Sequence, residues 1–101
     1  MPVFVIGQIT VRDASRWQDY LSKVGGTIAR HGGEVQFRGG LSRVFAGAPS
    51  GDKVVMIKFA DQAAADRWHD SPEYQALVAI RDAAATVTLV SFSDSFPPDS
   101  P

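Results

Sequence analysis

The chain predicts an α+β fold with the order strand, helix, strand, strand, helix, strand. That order builds a four-stranded antiparallel sheet with helices on one face. Three observations carry the prediction. Two stretches repeat apolar residues at helical spacing, and each begins at an aspartate. The segments around them are rich in β-branched and aromatic residues, as strands are. The turn cluster Gly47-Ala48-Pro49-Ser50-Gly51-Asp52 separates the two middle strands, which therefore read as a hairpin.

The first strand is Val3 to Val11. Val3, Phe4, Val5 and Ile6 are apolar without a break, so both faces of that strand expect cover. Asp13 caps a helix running to about Arg30, whose apolar stripe is Trp17, Tyr20, Leu21, Val24 and Ile28. Gly25-Gly26 costs that helix roughly 1 kcal/mol per glycine relative to alanine. The pair predicts either an early helix end or close packing on the sheet. His31-Gly32-Gly33 reads as the helix end. Strand two begins over Glu34 to Phe37, bends or bulges at Gly39-Gly40, and continues from Leu41 to Phe45. Lys53 to Phe59 is strand three. Asp61 caps a second helix that holds Ala63, Ala64, Ala65 and Trp68. Ser71 and Pro72 break it and start a new segment, as N-cap and first helical residue. Tyr74, Leu77, Val78 and Arg81 then share a face. Thr86 to Phe92 is strand four. Residues 1–93 read as a single domain, and the Pro-rich 94–101 as a loose tail.

Composition narrows the function classes. With 101 residues the chain makes one domain and not two. Such a domain buries only about 60–65% of its unfolded surface, so a second copy would add stability. The net charge of −1 and the absence of a basic run argue against nucleic acid. No apolar run approaches the ~20 residues that span a bilayer, and Val3 to Ile6 is too short for a signal peptide. Neither a membrane nor a nucleic acid is expected as partner. There is no cysteine, which excludes disulfides and thiolate chemistry and fits a cytoplasmic protein. Helices cover one face of the sheet, yet strands one, three and four carry apolar residues for the other. The economical lid is the same face of a second copy, which makes a homodimer.

Several residues together resemble a known family. They are Tyr20 in helix one, His31-Gly32-Gly33 leading into Phe37-Arg38-Gly39-Gly40, and Val55 to Phe59 ahead of Asp61. Trp68, Ser71-Pro72-Glu73-Tyr74 and Arg81 complete the pattern. Over residues 2–92 the chain is similar to the family called domain of unknown function 1330, a branch of the dimeric α+β barrel superfamily. The resemblance implies a ferredoxin-like fold and dimerisation. That superfamily includes cofactor-free monooxygenases, isomerases, haem-degrading enzymes and binding proteins. It assigns no catalytic residue here and implies no cofactor. The haem-degrading relatives use a tryptophan and a histidine on helix two. Here His69 would point about 100° away from Trp68 on a helix.

The expected ligand is a small organic molecule, acidic or enolisable, held between sheet and helices. Arg38 would grip a carboxylate or enolate by a forked pair of hydrogen bonds, against the alternative of a salt bridge. Trp68, Tyr74 and Arg81 would line one wall, against core packing and a helix tie. Tyr20, His31 or His69 would handle a proton, with Asp70 beside His69; the alternative is a solvated helix-end histidine. Two distant histidines without cysteine do not make a metal site. Ser71 has its cap role and no base placed to activate it. A non-catalytic dimeric interaction module stands as the alternative function.

Overall fold

A computed structural model describes residues 1–94. The tail expected over 94–101 lies outside the described residues apart from Asp94. The elements are β1 (Val3–Val11), α1 (Ala14–Arg30), β2 (Glu34–Gly40), β3 (Lys53–Phe59), α2 (Gln62–Asp70), α3 (Pro72–Gln75), α4 (Val78–Ala84) and β4 (Ala85–Ser93). The sheet order is β2-β3-β1-β4, and every neighbouring pair is antiparallel. This is the expected βαββαβ architecture.

Alternation along β1 divides the sheet. Val3, Val5 and Ile9 are buried, while Phe4, Ile6 and Gln8 between them are half-buried. Successive side chains of a strand point to opposite faces, so the first set lies under the helices. The buried Ile57 and Phe59 of β3 pair with Val5 and Val3 and lie on that same face.

Asp13 caps α1 by accepting from Arg16 N at 3.1 Å. At the other end Gly33 N donates to Ile28 O at 2.9 Å and Gly32 N to Ala29 O at 3.1 Å. Gly32 sits at φ 74°, the left-handed position that closes a helix this way. Gly25-Gly26 neither ends the helix nor packs on the sheet. A Cβ at Gly25 would meet nothing, and one at Gly26 only Arg30 Nη1 at 3.5 Å.

Asp61 caps α2 through Ala64 N at 2.8 Å. Ser71 then ends one element and starts the next. Its hydroxyl donates to Trp68 O at 2.7 Å and accepts from Tyr74 N at 3.2 Å. The segment after it is two pieces, so Tyr74 stands on α3 and Arg81 on α4.

Strand two departs from expectation twice. It stops at Gly40, and Leu41 to Phe45 forms no strand. The bulge lies between Val35 and Phe37, and not at Gly39-Gly40. Val35 pairs with Ile57 and Phe37 with Met56, so Gln36 is the extra residue. Every residue after it is switched to the other face. Phe37 joins Met56 on the side away from the helices, and Arg38 joins Val55 on the helix side. Gly39 is explained differently: the Phe37 ring lies over it, and an added Cβ would stand 2.7 Å from that ring, whereas one at Gly40 would meet only Asp52 O at 4.0 Å.

The face away from the helices is uncovered in the single chain and apolar at its centre, with Lys58, Gln8 and Thr88 among its polar residues. Phe4 pairs with Phe92, and Ile6 sits between Met56 and Val90. Phe37 is 54% exposed and Phe92 58%. No helix of the described residues is long and apolar enough to cross a membrane.

Candidate functional site

Between α1 and the helix-side face of the sheet is a cavity of about 200 Å³. Its wall is almost wholly apolar. From α1 come Trp17, Tyr20, Leu21, Val24 and Ile28, four of which are the buried stripe that sequence periodicity picks out. From the sheet come Ile9, Val35, Val55, Ile57, Val87 and Leu89, and from α2 comes Trp68. Two cations complete the lining, Arg38 of β2 and Lys53 of β3. Gly7 leaves room on the floor. A Cβ there would stand 2.9 Å from Val55 Cγ1 and 3.2 Å from Leu89 Cδ2.

An aromatic cluster stiffens the helix side. Trp17 and Tyr20 are three residues apart and their rings stack at 5.0 Å. Trp68 packs on Tyr74 at 4.4 Å and on Phe59 at 5.5 Å. Trp68 is also oriented by a hydrogen bond: its Nε1 donates to Thr27 Oγ1 at 3.0 Å, and that hydroxyl donates to Val24 O at 2.7 Å. Trp68 is therefore held at one rotation against the cavity.

Tyr20, Tyr74 and Arg81 meet behind this wall. Arg81 Nη1 donates to Tyr74 Oη at 3.1 Å, and the two phenol oxygens are 3.0 Å apart. Arg81 Nε donates to Asp82 Oδ1 at 2.9 Å. Burial pushes the Tyr20 phenol far above its ordinary range, and Tyr74 adds to the effect by proximity and hydrogen bonding. Burial works against the Arg81 charge, but the hydrogen bonds to Asp82 and Tyr74 outweigh it and raise the net affinity for the proton. Tyr20 is thus a neutral phenol, suited to donating a hydrogen bond and unsuited to acting as a base.

The histidines lie elsewhere. His31 ends α1, and its Nδ1 donates to Thr27 O at 3.0 Å. His69 is on the outer side of α2 with Nδ1 3.0 Å from Asp70 Oδ1. It borders a separate cleft of about 220 Å³ between α2 and β4, with Gln62, Asp66 and Ser91. Of the seven residues expected from sequence, Tyr20, Arg38 and Trp68 line the cavity. Tyr74 and Arg81 support it from behind, and His31 and His69 are outside its wall. Trp17, Lys53 and Thr27 are additions that sequence reasoning missed as site residues. Trp17 was visible only as part of a core stripe, and Lys53 reads as an ordinary strand-end cation until the register is known. Among the described residues no group of three or more His, Cys, Asp or Glu is placed to hold a metal ion.

The architecture is that of ferredoxin-like α+β proteins with a cavity between helix and sheet. Within that class, residues 2–94 match the model of the domain of unknown function DUF1330, and the chain belongs to that family. No functionally curated protein matches it. Among solved structures it is similar to a protein of unknown function from Rhodopseudomonas palustris, at 21% identity and TM-score 0.78, over 95% of this chain and 84% of that one. It is similar to SnoaB, a cofactor-independent oxygenase from Streptomyces nogalater, at 16% identity and TM-score 0.68, over 98% of each chain. It is also similar to a dimeric ferredoxin-like protein of unknown function from Jannaschia sp. CCS1, at 14% identity and TM-score 0.69, over 92% of this chain and 99% of that one. At these identities the likeness is one of fold.

Proposed function

We propose that the chain is a homodimer in which each copy holds a small organic molecule, acidic or enolisable, between α1 and the sheet. The observation that carries the ligand reading is the apolar cavity with Arg38 at its edge. Apolar walls with a few placed polar groups are the usual make-up of small-molecule sites. The dimer reading rests on the uncovered face that carries Phe4, Ile6, Met56, Val90 and Phe92. Water against so much apolar sheet is unfavourable by about 25 cal/mol per Å², and a second copy removes it. A solved neighbour described as dimeric agrees with this.

Binding without chemistry is the function the site supports best. No histidine or carboxylate is among the described residues lining the cavity, and Tyr20 keeps its proton. A general base must reach the proton it removes. Cofactor-independent catalysis, the activity named for SnoaB, is the second reading. It would require a substrate acidic enough to ionise in the site, with Arg38 stabilising the anion.

Native mass spectrometry of gently purified protein tests both parts. A dimer carrying one small mass per copy is expected. An empty dimer that also fails to take up small acids argues for an interaction module in place of a ligand site. The variant Ile6→Lys places a charge at the centre of the uncovered face and should give a monomer. An Ile6→Lys dimer of unchanged mass would refute the sheet-face interface.

A further inference from the structure

We infer that Arg38 and Lys53 form a two-cation clamp at the mouth of the cavity, and that the ligand is a monocyclic aryl carboxylate. This rests on reading the cavity as a ligand site, and it narrows the ligand class. Arg38 pairs with Val55, and Gly40 with Lys53. Lys53 and Val55 are two apart on β3, so Arg38 and Lys53 share the helix-side face as diagonal neighbours. Cα atoms so placed are about 7–8 Å apart, within joint reach of one carboxylate for two long side chains. Both residues border the cavity.

Neither cation has an ion pair or a side-chain hydrogen bond among the described residues. Three other arginines are engaged by the fold. Arg12 reaches Ala85 O, Arg16 pairs with Asp13, and Arg81 holds Asp82 and Tyr74. Two like charges side by side on a sheet repel one another. Here they do so beside an apolar hole with no acid in its wall. An anion bound between them relieves the repulsion and takes a forked pair of bonds from Arg38 and a point contact from Lys53.

The apolar part of the ligand follows from the volume. A dry cavity of about 150 Å³ holds one benzene ring. At about 200 Å³ this one takes a single ring with a short arm. Trp17, Tyr20 and Trp68 offer ring faces and edges to it. The arm must end in the acid, because the charges are at the mouth and the interior offers little polarity.

The test is titration of the full chain with phenylacetate and with its neutral counterpart phenylacetamide, followed by amide chemical shifts. Phenylacetate should bind at least tenfold more tightly and shift the amides of Arg38, Lys53 and Val55. Arg38→Gln with Lys53→Met should bring the two affinities to parity. Both side chains are exposed, so the variant's amide spectrum should report an intact fold. Equal affinities in the unaltered chain, or a preference that survives the double substitution, would overturn the clamp and leave the cavity as a site for neutral molecules. If neither compound perturbs the cavity residues, the ligand site falls with it.

Discussion

Tyr74→Phe removes one oxygen atom from a fully buried polar residue. Tyr74 is 0% exposed, and its hydroxyl serves two partners. One is the Arg81 guanidinium, a charged donor whose side chain is only 15% exposed. Hydrogen bonds to charged groups contribute about 1.5–3 kcal/mol, and neutral ones about 1. Arg81 keeps Asp82, which softens the loss. The expected cost is therefore roughly 2–4 kcal/mol, with no cavity or steric contribution because the ring is retained. In a domain of this size each kcal/mol moves Tm by about 4–8 °C, so the fall should be on the order of 10–25 °C. Tyr20→Phe deletes only the neutral bond and should cost about 1 kcal/mol. The assay is thermal unfolding by circular dichroism at one fixed protein concentration, since the proposed dimer would make Tm depend on concentration. The double variant closes the cycle. Because both singles break the same phenol–phenol bond, the double should cost less than their sum. Equal small effects from the two single variants, or strict additivity, would refute a continuous Arg81–Tyr74–Tyr20 chain.

Thr27→Val keeps the shape of the side chain but removes the acceptor of Trp68 Nε1. An orphaned buried donor costs about 1–3 kcal/mol, and the tryptophan fluorescence of the folded state should shift as Trp68 loses its fixed orientation. Unchanged Tm and emission would show that packing alone positions the ring. The raised affinity of Tyr20 for its proton predicts a stability limit at high pH. Below the ordinary tyrosine value near 10 both folded and unfolded chains hold the proton, so the contribution is complete. Above it the unfolded chain releases the proton while the folded chain keeps it, and stability falls as pH rises. Denaturant titrations between pH 9 and about 11.5 should show this decline, and Tyr20→Phe should flatten it. A decline of the same slope in Tyr20→Phe would assign it to other groups.

The element order, the caps at Asp13, Asp61 and Ser71, and the buried stripe of α1 were legible in the sequence. Each depends on neighbours a few residues away, where propensity and periodicity operate. Tyr20 and Trp68 could be read as site candidates because an aromatic residue on an apolar helix face must meet the sheet. The uncovered face was legible too: two helices cannot wrap both sides of four strands. What local pattern did not supply is the register of β2. Its alternation alone would send Phe37 inward and Arg38 outward. One bulged residue, Gln36, reverses them and brings Arg38 onto the face of Lys53, fifteen positions on across a turn. A bulge is favoured by pairing with another strand, not by the bulged residue itself, so only the assembled sheet selects it. The joining of Arg81 to Tyr20 across Tyr74 is of the same kind, and so is the placing of His31 and His69 away from the cavity. Sequence alone determined the order of strands and helices, though not the end of β2, and that one apolar face needs cover. Tertiary structure decided which side chains meet, because a shift of one residue in a strand exchanges its two faces.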